Sequence, residues 1–156
     1  MKVGPIMQED VAALRTNVSY QRTSQIQIST DPTTLPSVLV WFDQFEPAPI
    51  PRSLWLQCQL ALIEGFTNAI RHAHGDLPKS TPITIEVSVS SSTIDIRIWD
   101  QGPGFDLGAV LKTKLDNHSP HDEGGRGLKI MYLVADQLSY YSSERGNCLH
   151  LHKTYA

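Results

Sequence analysis

The sequence has little of what marks the specialised protein classes. It holds two cysteines, Cys58 and Cys148, too few for a disulfide scaffold and at no metal-type spacing. No stretch approaches the roughly 20 apolar residues of a membrane span, and Met1 to Asp10 lacks the apolar core of a signal peptide. Basic charge is not in excess: 13 Lys and Arg face 16 Asp and Glu, for a net charge of -3, and no long run of one sign occurs. That excludes the clustered basic footprint of a nucleic-acid-binding module. The P-loop pattern G-x-x-x-x-G-K-S/T is missing. Gly125-Arg126-Gly127 begins like a dinucleotide-binding fingerprint, but Ile130 holds the third glycine position and the segment follows a loop, not a strand. Protein-kinase signatures are absent too. What remains is 156 residues, 40% of them hydrophobic, about one domain. A chain of this size can bury roughly 70% of its unfolded surface unaided. The expectation is a cytoplasmic domain without direct nucleic-acid or membrane contact.

Proline and glycine punctuate the chain. Residues 1–23 read as an N-terminal arm and 24–156 as the domain. Gln25 to Ser29 alternates like a half-buried strand. Asp31-Pro32 starts a helix predicted to reach Glu46, and Pro47, Pro49 and Pro51 mark a connecting loop. The most informative helix runs from Arg52 to about His74. Leu56, Leu60, Ile63, Thr67 and Ile70 share one line of it, and Leu54, Cys58, Leu62, Phe66, Ala69 and Ala73 extend the apolar arc. Gln57, Glu64, Asn68 and Arg71 form a narrow polar stripe on this largely buried helix. Two alternating strands follow as a hairpin, Ile83 to Val89 and Ile94 to Ile98, ending in Asp100-Gln101-Gly102-Pro103-Gly104. Leu107 to Glu123 lacks periodicity and reads as a mobile loop. Gly124-Gly125-Arg126-Gly127 opens a helix with Leu128, Met131, Tyr132 and Ala135 at helical spacing. A last hairpin pairs Gln137–Ser142 with Asn147–Lys153, Leu149 and Leu151 facing inward and Cys148, His150 and His152 the other way. Strands apolar on one side imply an α+β, two-layer sandwich with a mostly antiparallel sheet, helices on one face and water on the other.

Several of these residues have two readings. Glu64 and Asn68, one helical turn apart, are either a solvated pair or a functional one. Asp100 suits a turn start as well as a ligand contact. A glycine-rich helix start is an anion site, through its free N–H groups and dipole, or a plain turn. His72 and His74 read as capping the last helical carbonyls. His150-x-His152 is explained by strand alternation, a metal reading having no further motif behind it. Lys112, Lys114, His118 and His121 touch phosphate or are solvated. Arg126 suits an oxyanion or faces water.

Taken in order, Glu64-x-x-x-Asn68-Ala69-Ile70-Arg71-His72-Ala73, Asp100-x-Gly102-x-Gly104 and Gly125-x-Gly127-Leu128 resemble the three nucleotide-binding boxes of the GHKL ATPases, the group that includes gyrase and the histidine kinases. The phrase around Glu64 is most similar to the anti-sigma-factor serine kinases of bacterial partner-switching systems. The resemblance covers about Ser24 to Lys153 and implies a Bergerat-type ATP-binding fold. It implies ATP and Mg2+ as cofactors, Asn68 as magnesium ligand, and Glu64 as general base. It makes Asp100 the acceptor of the adenine amine, Gly102 and Gly104 the turn under the base, and Gly125, Arg126, Gly127 and Leu128 the phosphate wrap. Leu107 to Glu123 would then be the lid over ATP. A sigma factor and an anti-anti-sigma protein of STAS type are the partners implied, with a homodimer in which Leu39, Val40 and Phe42 offer one surface. Two other functions stay open: a nucleotide-gated binding module without transfer, and a detached histidine-kinase catalytic domain. Gly146-Asn147-Cys148 departs from the Gly-Thr of many relatives, so a hydroxyl near the base is missing or replaced by the Asn147 amide.

Overall fold

A computed structural model describes residues 21–46, 49–116 and 126–155. Alternation decides its sheet. In β2 (Pro82–Ser90) and β3 (Thr93–Asp100), Ile83, Ile85, Val87 and Val89 and then Ile94, Ile96 and Ile98 are buried while the residues between them stay at least partly exposed; Trp99 and Asp100 at the end of β3 are buried too. The Ser90 hydroxyl tightens the turn between them by accepting from the backbone N–H groups of Ser92 and Thr93. β1 (Gln21–Ser29), β4 (Gln137–Ser143) and β5 (Gly146–Thr154) complete one sheet in the order β1-β2-β3-β5-β4, with every neighbouring pair antiparallel. β1 extends four residues further toward the N-terminus than its alternation suggested.

Four α-helices occur among the described residues: α1 (Leu35–Phe42), α2 (Arg52–Asn68), α3 (Leu107–Asp116) and α4 (Arg126–Val134). The helix expected from Pro32 to Glu46 is split. Asp31 caps it as expected, its carboxylate accepting from the Thr33 N–H at 2.9 Å. A 3-10 turn covers Pro32–Thr34 and a second covers Asp43–Phe45. Pro36 lies in the first turn of α1 and lacks the N–H that would bond back across Pro32. Phe42 is fully buried, stacked on Trp55 with centroids 4.3 Å apart, so it belongs to the core and not to the dimer surface expected of it; Val40 is exposed.

α2 corrects a second expectation. Trp55, Cys58, Ala61, Leu62, Gly65 and Phe66 are its buried residues, whereas Leu56 and Leu60 are 47% and 43% exposed. The small residues decide the face. A side chain at Gly65 would lie 2.4 Å from Ile98 and 3.0 Å from Met131 of α4, so the helix sits close on the sheet only along this line. On α4, Leu128, Met131 and Val134 are buried and Tyr132 is exposed. Leu60→Ser should therefore shift stability by no more than about 0.5 kcal/mol in urea denaturation.

The segment expected to be a loop from Leu107 is helical as far as Asp116. Asp106 starts it, accepting from the Ala109 N–H, and Leu107, Val110 and Leu111 pack on the core at i, i+3 and i+4. The rest of the expected lid, 117–123, lies outside the described residues.

The sheet face away from the helices is mostly polar. His150 Nε2 and His152 Nδ1 converge on one oxygen of Asp95 at 2.7 and 2.9 Å, and Arg97 meets Glu86. Cys148 lies on this face as expected, yet it is buried beside Trp99, over which the Arg145 guanidinium sits at 4.2 Å. Burial pushes the Cys58 thiol up to about 12 and raises Cys148 as well, which leaves both poor nucleophiles. Among the described residues no helix is long and apolar enough to cross a membrane.

Candidate functional site

The end of the sheet where β3 and β5 meet the last turns of α2 gathers most of the singled-out residues. After Asn68 the α-helix loosens into a π-helical turn, Ala69–Ala73, a distortion that often accompanies function. Its register keeps Glu64, Asn68 and His72 along one side. Two abutting cavities open there. The larger, about 210 Å³, is lined by Asn68, His72, Ala73, Pro103, Gly104, Phe105, Val110, Leu128 and Tyr140. The smaller and more polar one, about 40 Å³, is bounded by Glu64, Thr67, Asn68 and Arg71 together with His72, Gly127 and Leu128. Asn68, His72 and Leu128 border both.

The first turn of α4 supplies the far wall of the polar cavity. A side chain at Gly127 would lie 2.7 Å from a Glu64 carboxylate oxygen and 3.3 Å from its Cβ, so glycine lets α4 approach without displacing the Glu64 side chain. Arg71 and the backbone of Gly127 and Leu128 face this space. Such a wall suits an anion, and the apolar neighbour suits a flat ring.

Asp100 closes β3 behind the larger cavity and is 4% exposed. One carboxylate oxygen accepts from the Gly102 N–H at 2.9 Å and from the Asn147 amide at 3.1 Å. The other accepts from the Tyr140 hydroxyl at 2.9 Å. The Asn147 amide also donates to the Gly102 carbonyl, and its oxygen accepts from Ser142. Asn147 thus braces the Asp100 turn. The turn needs its glycines: a side chain at Gly102 would lie 2.3 Å from the Ala73 carbonyl, and Gly104 has φ +83°, a conformation that penalises other residues.

His74 is not the helix cap expected of it. It is 1% exposed and pins three segments together. The Thr30 hydroxyl donates to the Thr81 carbonyl, so toward His74 it accepts, from Nδ1–H at 2.7 Å. The Gln101 N–H donates to Nε2 at 2.7 Å. These partners assign the neutral ring with its proton on Nδ1. Burial lowers the His74 pKa, against the opposing pull of the Asp100 charge. The unfolded chain then takes up a proton near pH 6.5 that the folded chain resists, so the stabilisation is complete above that pH and is lost as the pH falls. Wild-type stability should drop more between pH 7.5 and 5.5 than that of His74→Asn, as read by urea midpoints.

Of the residues selected from sequence, Glu64, Asn68, Gly104, Gly127 and Leu128 line the cavities, and Asp100 and Gly102 form the wall behind. Arg126 is exposed and outside the lining; Gly125 lies outside the described residues, as do His118 and His121. Sequence reading missed Phe105, Tyr140 and Val110. Sequence reading put Thr67 on the apolar line of the helix, Arg71 in its polar stripe and His72 at a cap, whereas all three border the polar cavity, three, seven and eight residues from Glu64.

The model of the histidine kinase-like ATPase domain matches residues 28–153. A serine-protein kinase RsbW of Bacillus licheniformis is 29% identical over 86 residues, covering 51% of this chain and 53% of the relative. Its namesake in Bacillus velezensis is 28% identical over 91 residues, covering 54% and 56%. The chain spans about half the length of the curated relatives it matches. Three ordered boxes meeting at paired cavities, a five-stranded antiparallel sheet under one helical layer, and a match over nearly all the described residues agree: this chain belongs to the histidine kinase-like ATPase domain family.

Proposed function

We propose that the chain binds ATP in the paired cavities and transfers its γ-phosphoryl group to a serine or threonine hydroxyl of a partner protein. The observation that carries this is the meeting of Glu64, Asn68 and the Gly127–Leu128 stretch of α4 at a polar cavity abutting an apolar one. The base and sugar would fill the larger space and the phosphates the smaller, against N–H groups that need no reorganisation. Glu64 would take the proton as the hydroxyl oxygen bonds to phosphorus and the bond to ADP breaks. One neutral amide beside one carboxylate fits a cation that keeps several waters, not one caged by protein. Asn68 would hold Mg2+, which supplies charge neutralisation at the phosphates.

The curated relatives are named serine-protein kinases, which favours a serine as acceptor. By the same resemblance the acceptor is an anti-anti-sigma protein of STAS type, and in another state the chain sequesters a sigma factor, released by competition between the partners. The test is incubation with labelled ATP, Mg2+ and candidate partners, followed by mapping of the phosphate. Acid-stable label on a partner serine or threonine is expected. Acid-labile label on histidine would instead indicate a detached histidine-kinase domain, and ATP binding without transfer a nucleotide-gated binding module.

A further inference from the structure

His74 is the one buried histidine among the described residues, and the phosphoryl transfer proposed above does not use it. We infer that it is a positioning residue through which nucleotide and proton compete: the neutral ring holds the turn after β3 in its binding shape, and a proton on Nε2 would push that turn away. This rests on the nucleotide reading above.

Position comes first. His74 lines neither cavity, but the chain on both sides of its Nε2 hydrogen bond does. Ala73, the residue before it, lines the larger cavity, as do Pro103 and Gly104, which follow closely on the Gln101 that donates to Nε2. The Gln101 side chain ties the same turn to the Arg145 carbonyl at 3.0 Å. The Gly102 backbone packs so tightly on the helix end that a side chain there would lie 2.3 Å from the Ala73 carbonyl oxygen. Ring, helix end and turn fit as one unit, with little slack to absorb a displacement.

Polarity decides what a proton does. Neutral His74 donates from Nδ1–H to the Thr30 hydroxyl at 2.7 Å and accepts the Gln101 N–H on Nε2 at 2.7 Å. A protonated imidazole is a donor at both nitrogens. The Thr30 bond would survive, because that hydroxyl spends its own hydrogen on the Thr81 carbonyl. Across Nε2 two N–H groups would face each other, so Gln101 must move, and Pro103 and Gly104 with it.

Burial lowers the His74 pKa against the pull of Asp100, which faces the ring from β3. On the other segments packed around it, Asp31 spends one carboxylate oxygen on the Thr33 N–H and hydroxyl, and Arg71, His72, Asp76 and Lys79 are exposed. A nucleotide that needs the turn in place binds the unprotonated chain, and by linkage its presence makes the proton harder to add.

The test is titration of the full chain with ATP in Mg2+ at pH 7.5 and 5.0, beside His74→Gln, whose side-chain oxygen can accept from Gln101 and takes up no proton. The terminal phosphate and His72 titrate in both proteins and cancel in the comparison. Wild type should lose about three- to tenfold more affinity than the variant, since a ring that must stay neutral costs about tenfold per pH unit below its pKa. In wild type, the His74 imidazole followed by NMR should take up its proton at lower pH in saturating nucleotide than in the free chain. That readout needs no variant, and a merely structural histidine would leave it unmoved. Equal pH dependence in the two proteins, or a His74 titration that nucleotide leaves in place or raises, would overturn the inference. Wild type that binds no ATP at pH 7.5 would overturn the nucleotide reading instead.

Discussion

Glu64→Gln is expected to bind ATP as wild type does and to transfer phosphate about 10²- to 10⁴-fold more slowly, the usual range for loss of a positioned base. Glutamine keeps the size and shape of the side chain that packs against Gly127, and it keeps an oxygen and a nitrogen for hydrogen bonding. It cannot take the proton of an attacking hydroxyl. Ground-state binding and transfer should therefore separate, with affinity held and rate lost. Initial rates of label incorporation into the partner, beside an equilibrium titration with ATP, measure both. Undiminished transfer would remove Glu64 from the base role.

Asp100→Asn should weaken ATP binding by about 10- to 100-fold, the worth of a hydrogen bond to a charged group. The change also reverses a direction. At the oxygen that now accepts from Tyr140, an amide N–H₂ would donate. A wall of acceptors becomes a wall with a donor. Affinity for GTP or ITP, whose 6-oxygen accepts, should rise relative to ATP. Parallel titrations with the three nucleotides read this, and unchanged ATP affinity would show that the base does not sit against β3. The substitution is gentler than Asp100→Ala, which would remove the acceptor shared by the Gly102 N–H, the Asn147 amide and the Tyr140 hydroxyl.

The strands were legible because period-two alternation is a local signal: Ile83 to Val89 and Ile94 to Ile98 could face only one way. Glu64 and Asn68 were legible because helical spacing makes them neighbours. What sequence left hidden depended on partners distant in the chain. Leu56 and Leu60 are as apolar as Leu62, and only the close approach allowed by Gly65 selects the buried line of α2. Phe42 found its partner in Trp55 across a proline-rich connection. α3 has a short apolar stripe, easily lost in a polar stretch, and Asp106 starts it where a turn was read. Tyr140 sits in a strand whose pattern gives no sign that its hydroxyl faces a carboxylate 40 residues earlier. His74 stood next to a helix end, where capping is the ordinary role, but Thr30 and Gln101 reach it from two other segments. Register and tertiary approach decided these cases.

The central claim is that the paired cavities form an adenine-nucleotide site, and isothermal titration of the chain with ATP and with GTP, both in Mg2+, tests it most directly. Saturable binding of one ATP per chain is expected, with GTP at least tenfold weaker. Absence of saturable ATP binding at millimolar nucleotide, or equal affinity for the two, would contradict it.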